Sequence, residues 1–393
     1  MFSVIRWVIL FAFTTGSQVL GQAAWQSSWD EFLKAYQACM NDKQCDASLF
    51  QGGVVTWEGT YIGTTTVNGS TRYQTRMTSG TMIDRTGISY QVSNTLVHSP
   101  SAAAAAAWQA LGANQTVRFH AQIATFLGAG FDASCCFEVN LEAGASVVVP
   151  TTPAFAASNA VVNGASFQPG IVPGSWFTIQ GTNLSSTTNT WDKSIVNGNL
   201  PTNVDGVRVD VGGKPAYIYY VSPTQINALA PDVGTGSLSV TVTNGYGTSA
   251  PTTVTSQTVG PAFFLFAGKY AVATRLDFSL VGQSGAVPGV TTSPAKPGDV
   301  IILWGTGFGP TSPSAPVGVG VPSDKTYATA NPVTVTVGGI PGQVYGAALA
   351  PGFAGLYQVA IQIPPSAPDG DLAVVATVSG TQSPGGTFIT VQH

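Results

Sequence analysis

The sequence predicts a mainly β protein, with a small N-terminal α+β barrel followed by two tandem β-sandwiches. Three observations carry this expectation. The first is a passage written twice: Pro173-Gly-Ser-Trp-Phe-Thr-Ile-Gln-Gly-Thr-Asn-Leu184 returns as Pro297-Gly-Asp-Val-Ile-Ile-Leu-Trp-Gly-Thr-Gly-Phe308, each a turn and an alternating strand that stops at Gly-Thr. The second is that the flanks repeat too. Pro153-Ala-Phe155 and Pro261-Ala-Phe263 lie upstream, and Val207-Arg-Val-Asp-Val-Gly-Gly213 and Val333-Thr-Val-Thr-Val-Gly-Gly339 lie downstream. The third is the order of elements before residue 150, which spells three strands, a helix and two strands, the string of an OB-type Greek-key barrel.

The N-terminus reads as an export leader over residues 1–22. Arg6 closes a basic start, Trp7 to Phe13 is apolar, and Val19-Leu20-Gly21 before Gln22 fits a signal-peptidase site. A bilayer span needs about 20 apolar residues, so this run predicts no stable membrane insertion. Gln22 stands where lipid attachment would need Cys. The mature chain is expected outside the cytoplasm, secreted or at the cell surface. Charged residues are only 8% of the chain, and mean hydropathy is +0.23, so hydration falls to Ser, Thr, Asn, Gln and backbone. Without Arg6, 13 basic residues face 18 acidic ones, a net charge of −5 that argues against a nucleic-acid partner.

The barrel is expected over residues 23–150. Ser28-Trp-Asp-Glu31 is a capping box, and Trp29, Phe32, Leu33 and Tyr36 share one face of the helix that follows. Strands are expected at Val54 to Ile62, Arg72 to Ser79 and Thr81 to Val92. Ser99-Pro100 reads as a helix start and Ala102 to Ala107 carry the helix on, before strands at Gln115 to Ala124 and Phe137 to Val149. The four cysteines, Cys39, Cys45, Cys135 and Cys136, read as disulfide-forming in an oxidising compartment. Cys39 to Cys45 is the expected bridge, with a bridge from either to the 135/136 pair as the alternative. No His lies near either pair to complete a zinc site, and no metal or cofactor is expected. Six basic residues face nine acidic ones in this region, so a nucleic-acid groove is not expected, although Arg72, Arg76 and Arg118 could line one patch. Trp57 reads as a core or rim anchor.

The repeats are expected over 153–260 and 261–393. Phe177 and Ile179 in the first copy, and Ile301 and Leu303 in the second, take inward places. Gly181 and Gly305 stand where a side chain would obstruct a turn or bulge. Gly212-Gly213 and Gly338-Gly339 fit two-residue hairpin turns, pairing Val207 to Val211 with Ala216 to Tyr220, and Val333 to Val337 with the strand entering at Gln343. Ser222 to Asn227 reads as a turn into a further strand, with Gln225 and Asn227 bonding loop backbone. The Pro-Ala-Phe junction leaves little slack, so the sandwiches are expected to meet end to end.

From residue 155 to 393 the chain resembles a known family. The motifs are Asn159-Ala-Val-Val-Asn-Gly-Ala-Ser166, Pro173-Gly-Ser175, Gly181-Thr-Asn-Leu184, Leu200-Pro201, Tyr219-Tyr-Val-Ser-Pro-Thr-Gln-Ile-Asn227, Gly305-Thr-Gly307 and Leu349-Ala-Pro-Gly-Phe-Ala-Gly-Leu-Tyr-Gln358. Together they resemble the uncharacterised carboxy-terminal domain of secreted acidobacterial proteins, a family with no assigned activity. Each half is also similar, more distantly, to the immunoglobulin-like IPT/TIG module, which implies two Ig-like sandwiches.

Three functions remain to be weighed. Residues 153–392 contain no His and the repeats no Glu, so a Ser-His or paired-carboxylate site has little material there. Asp369-Gly-Asp371 lacks the further oxygens of a calcium loop. The leading expectation is a secreted, non-catalytic surface or matrix protein acting in adhesion or protein contact. The alternative is an extracellular carbohydrate-binding protein, with Trp176, Tyr217, Tyr219 and Trp304 as aromatic faces for ligand unless they cover an inter-domain joint. The least expected is a hydrolase around Glu58, His98 and His120.

Overall fold

The computed structural model describes residues 24–41, 50–83, 87–91, 94–127, 138–196, 198–286 and 289–393. The expected leader, Cys45, Cys135 and Cys136 lie outside these residues, and with them the disulfide connectivity. The chain is mainly β and forms two compact units, one holding the barrel and the other both repeats. No helix among the described residues is long and apolar enough to cross a membrane.

In the first unit five strands close a barrel: β1 (Val54–Val67), β2 (Ser70–Arg76), β3 (Thr95–Ser99), β4 (Thr116–Leu127) and β5 (Glu138–Val148), in the order β1-β2-β3-β5-β4. Only β3 and β5 run parallel, the OB-type arrangement. One strand differs from the sequence expectation. Thr81 to Val92 is not the third barrel strand. Its ends, Thr81–Ile83 and Ser89–Gln91, pair with each other as a separate hairpin. The third strand is β3, which turns Leu96 and His98 inward. Because Ser99 is still in the ladder with β5, the helix starts later: Ser101, not Ser99, caps α2 (Ala102–Gln109), accepting the Ala104 N–H at 3.4 Å.

Helix α1 (Trp29–Asn41) begins at Ser28, whose hydroxyl accepts the Glu31 N–H. Its apolar stripe buries Trp29, Phe32 and Tyr36, with Phe32 4.9 Å from the Trp57 ring and 5.3 Å from Phe50. Trp57 is a core residue, its indole N–H donating to the Trp25 carbonyl. From the flank of this stripe Gln37 reaches the hairpin: its side-chain amide donates to the Ile83 carbonyl and accepts the Ile83 N–H. In α2 the alanines supply helix propensity, while Trp108 alone is buried and anchors it beside Tyr73 and His98. His98 is fully enclosed, its Nε2 2.7 Å from the Thr75 hydroxyl and its ring between Trp108 and Phe119, each at 4.5 Å. Its Nδ1 has no hydrogen-bond partner among the described residues.

The second unit contains two sandwiches of one design. In the first, β6 (Trp176–Thr182), β8 (Tyr217–Val221) and β9 (Gln225–Leu229) form one sheet, and β7 (Arg208–Val211), β10 (Gly236–Asn244) and β11 (Thr252–Ser256) form the other. In the second, β12 (Val300–Thr306), β15 (Tyr357–Gln362) and the latter part of β14 (Ile340–Leu349) match the first sheet. Strands β13 (Val333–Val337), β16 (Gly370–Val378) and β17 (Phe388–Val391) match the other. Phe177 and Ile179 fill one core, and Ile301 and Leu303 the other.

The repeated motifs bind each other. Gly181 pairs with Phe155 and Thr182 with Ala154. Gly305 pairs with Phe263 and Thr306 with Ala262. A Cβ on Gly181 would lie 2.3 Å from the Ala154 carbonyl oxygen, and one on Gly305 2.4 Å from that of Ala262. The obstruction is therefore a neighbouring strand, not the turn or bulge expected. The Gly-Gly turns are present with positive φ at both residues, but their return strands change sheets. On the return side of the first turn only Lys214 and Pro215 pair with Val211 and Asp210, after which β8 joins β9; in the second, Val335–Val337 meets Ile340 to Gly342, while Gln343 onward pairs with β15. A period-2 pattern does not reveal that one strand serves both layers. A further shared device, missed in the sequence, is a buried serine. Ser249 accepts the Val242 N–H and returns its own N–H to Val242, as Ser383 does with Ala376.

Two predictions follow from this packing. Gly305→Ala should destabilise the repeat unit by roughly 1–3 kcal/mol through overpacking, whereas Gly385→Ala, with open space around it, should be tolerated in a denaturant unfolding series. Burial lowers the His98 pKa to about 3 from 6.5. Between those values the unfolded chain binds a proton that the folded barrel does not, so stability is complete above about pH 6.5 and falls as pH drops towards 3. The slope between pH 6.5 and 4 should flatten in His98→Gln, read by equilibrium unfolding; an equal slope would remove His98 as its source.

Candidate functional site

The two repeats share a buried seam, and most of the motifs quoted above converge on it. Trp176 lies on the face of β6 opposite Phe177, and Trp304 on the face of β12 opposite Leu303. Both are buried in one cluster with Leu200, Tyr219, Leu229, Phe264 and Leu356. Tyr217 is half-buried there, close against the Gly318 backbone. Trp191, which sequence reasoning missed, completes an aromatic triad with ring centroids 5.6 Å from Trp176 and 4.9 Å from Tyr219. Alternation alone would send Tyr220 inward with Ile218, but a bulge at Tyr219 lets Tyr220 pack against the seam as well. The sandwiches thus meet through sheet faces rather than end to end; of the four expected ligand aromatics Trp176, Tyr219 and Trp304 are buried and Tyr217 is half-buried.

Polar bonds fix the register of the seam. The Trp176 N–H donates to the Thr306 hydroxyl at 3.0 Å, Thr306 donates to the Gly355 carbonyl, and the Trp176 indole donates to the Ala354 carbonyl. The Gly307 N–H donates to the Ser175 hydroxyl. Asn163 ties the linker: its carbonyl accepts the N–H groups of Ala165 and Ser166 while its amide donates to the Gly260 carbonyl. Gly355 has φ +62, and a Cβ there would lie 2.3 Å from Leu229. Gln225 and Asn227 bond each other. The Thr178 hydroxyl and the Gln225 amide both donate to Asn227 Oδ1, while Ser222 secures the turn.

Beside the seam opens a cleft of about 330 Å³, within the size range of ligand sites. Pro173 and Asp232 from the first repeat face Pro310, Ser314, Pro316 and Val321 from the second. Its wall is mostly aliphatic and proline, with hydroxyls at Thr235, Thr258 and Thr311. At its floor Tyr357 donates to the Gly309 carbonyl, and burial raises the phenol pKa. Such a surface suits an uncharged, extended segment better than an ion.

The remaining candidates are placed apart. His98 is enclosed in the barrel, Glu58 pairs with Arg118 at 2.7 Å across β1 and β4, and the exposed His120 lies 2.9 Å from the Thr56 hydroxyl. Glu58 and His120 are thus diagonal neighbours on the outer face of β1 and β4, and His98, inside the barrel, is separated from both. Arg118 is neutralised, leaving Arg72 and Arg76 on the outward face of β2. Asp371 accepts from Lys269, Tyr270 and Thr390, and the Lys269 bond leads in lowering its pKa. Asp369 is held by His393. Both aspartates therefore secure strand ends. Cys39 is buried on α1 and is not a free thiol. No group of three His, Cys, Asp or Glu gathers among the described residues.

Residues 165–256 match the IPT/TIG domain family. No curated protein matches the chain. Among solved structures it is similar to SGBP-B of the Bacteroides ovatus mixed-linkage glucan utilization locus, in complex with a mixed-linkage heptasaccharide. The identity is 11% over 70% of this chain and 53% of that one, with a TM-score of 0.26. It is also similar to the surface glycan-binding protein PbSGBP-B from Prevotella bryantii, at 12% identity over 59% and 41% of the two chains and a TM-score of 0.18. The extracellular region of Plexin A4 is similar at 11% identity over 90% and 31%, with a TM-score of 0.23. The chain spans about half or less of the length of these structures.

Truncating a seam tryptophan removes packing from both repeats at once. Trp304→Ala should cost about 3–5 kcal/mol in denaturant unfolding and expose the 257–261 linker to limited proteolysis. A change below about 1 kcal/mol would show that the seam contributes little.

Proposed function

We propose that this is a secreted, non-catalytic surface or matrix protein that works by protein contact, with the double sandwich as a preorganised binding body. The observation that carries this reading is the cleft. Its walls come from both repeats, so it exists only while Trp176, Thr306 and Asn163 hold the repeats in register. A site fixed before binding loses less conformational entropy on association than one ordered by its partner. The proline and aliphatic lining, with hydroxyls at the rim, favours an extended, uncharged protein segment.

A second reading, capture of extracellular polysaccharide, is favoured by the barrel, where β2 presents Arg72, Gln74 and Arg76 outward beside threonines of β1 and β3. A hydrolase is disfavoured by the separation of His98 from Glu58 and His120.

The contact reading predicts that the full-length protein retains a defined partner in crosslinked pull-downs from envelope material. Ser314→Trp, which places a large ring at the exposed rim of the cleft, should abolish retention without changing the thermal midpoint. Undiminished retention by that variant would refute the cleft as the contact site. Turnover of a polysaccharide or ester substrate that disappears in His120→Ala would replace the reading with an enzymatic one.

A further inference from the structure

Charge is scarce in this chain, so the position of an uncompensated one is informative. Five arginines lie among the described residues: Arg72, Arg76, Arg118, Arg208 and Arg275. Three sit against carboxylates, Arg118 on Glu58 at 2.7 Å, Arg208 on Asp210 at 2.6 Å and Arg275 on Asp299 at 3.5 Å. Arg72 and Arg76 have no carboxylate partner among the described residues.

These two occupy one face of one strand. In β2, Tyr73 and Thr75 point into the barrel, so Arg72, Gln74 and Arg76 leave its outer surface together. At about 3.4 Å per residue their Cα atoms span roughly 14 Å. The neighbouring strands set hydroxyls beside them. Thr60 and Thr95 lie across from Arg76, and Thr65 across from Arg72. Gly63, across from Gln74, has φ +127 and nothing within 4 Å of where a Cβ would stand, so the backbone there is open to approach. The tyrosines of these strands, Tyr61 and Tyr73, are buried inside.

We propose that this outer face binds an acidic, carboxylate-bearing polysaccharide, an assignment that rests on the second reading above. A guanidinium fork matches a carboxylate bidentately, and two forks separated by an amide and flanked by hydroxyls suit a polymer whose acidic groups recur among hydroxyls. Single-stranded nucleic acid is less well served, because its bases need exposed rings on which to stack. Over residues 23–150 six basic residues face nine acidic ones, so there is no long-range attraction. Binding relies on contact and weakens with salt.

The test is isothermal titration of the full-length protein with oligogalacturonate, a neutral dextran oligomer of similar length, and a single-stranded oligonucleotide. Oligogalacturonate should bind, and the double variant Arg72→Gln/Arg76→Gln should weaken it by roughly tenfold or more with an unchanged thermal midpoint. Equal binding by wild type and variant would overturn the site. Dextran bound as well as oligogalacturonate would overturn the acidic assignment while leaving polysaccharide capture standing, and binding of neither polymer would overturn both. Preference for the oligonucleotide would also overturn it.

Discussion

The bond between the Trp176 amide and the Thr306 hydroxyl, 130 residues apart in sequence, sets the organisation of the repeat unit. Thr306 in turn donates a hydrogen bond to the Gly355 carbonyl, so one hydroxyl joins the leading strand of the first sandwich, the matching strand of the second, and the loop that carries Ala354 to Leu356. Around this relay the indoles of Trp176 and Trp304 exclude water, which raises the cost of leaving any of these polar groups unpaired. The apolar cluster supplies driving force and the hydrogen bonds supply register. Neither alone would hold two sheets in a single alignment.

Duplication explains the fold but not the seam. The equivalent strands begin at Trp176 and Val300, so the first repeat places its tryptophan at the start of the strand and the second, with Trp304, near the end. Both face away from their own cores and into the shared cluster. Each copy thus keeps the inward positions that any sandwich needs, while the outward positions have diverged to fit one another. The Gly181 and Gly305 contacts with the preceding strand remain equal in both copies because they belong to the individual sandwich, whereas the side-chain bonds of Asn163 to Gly260 and of Ser175 to Gly307 cross the junction.

Much of the architecture was legible in the sequence because strand periodicity is local. Alternation located Phe177, Ile179, Ile301 and Leu303, and the Gly-Gly pairs marked both hairpin turns. Failures came where local pattern is degenerate. Thr81 to Val92 and Thr95 to Ser99 have similar β-forming composition, and only closure of the barrel selects the latter as its third strand. Alternation is also blind to the bulge at Tyr219 and to strands that cross between layers. The candidate site was the least legible part. An aromatic residue on the outward face of a strand looks the same in sequence whether it meets ligand or another sheet, and the covering face of Trp176 lies more than a hundred residues away. Arg72 and Arg76 were visible as cations, but their lack of a partner emerges only when the carboxylates are placed.

Gln37 carries a consequence of a different kind. A two-stranded ribbon is marginal alone, and its free edge offers N–H and C=O groups to any passing extended chain. By matching both groups of Ile83 with one carboxamide, the helix imitates an adjoining peptide and occupies the docking positions at that residue. The ribbon is thereby blunted against self-association, a useful property for a weakly charged protein that would otherwise depend on electrostatic repulsion to remain dispersed.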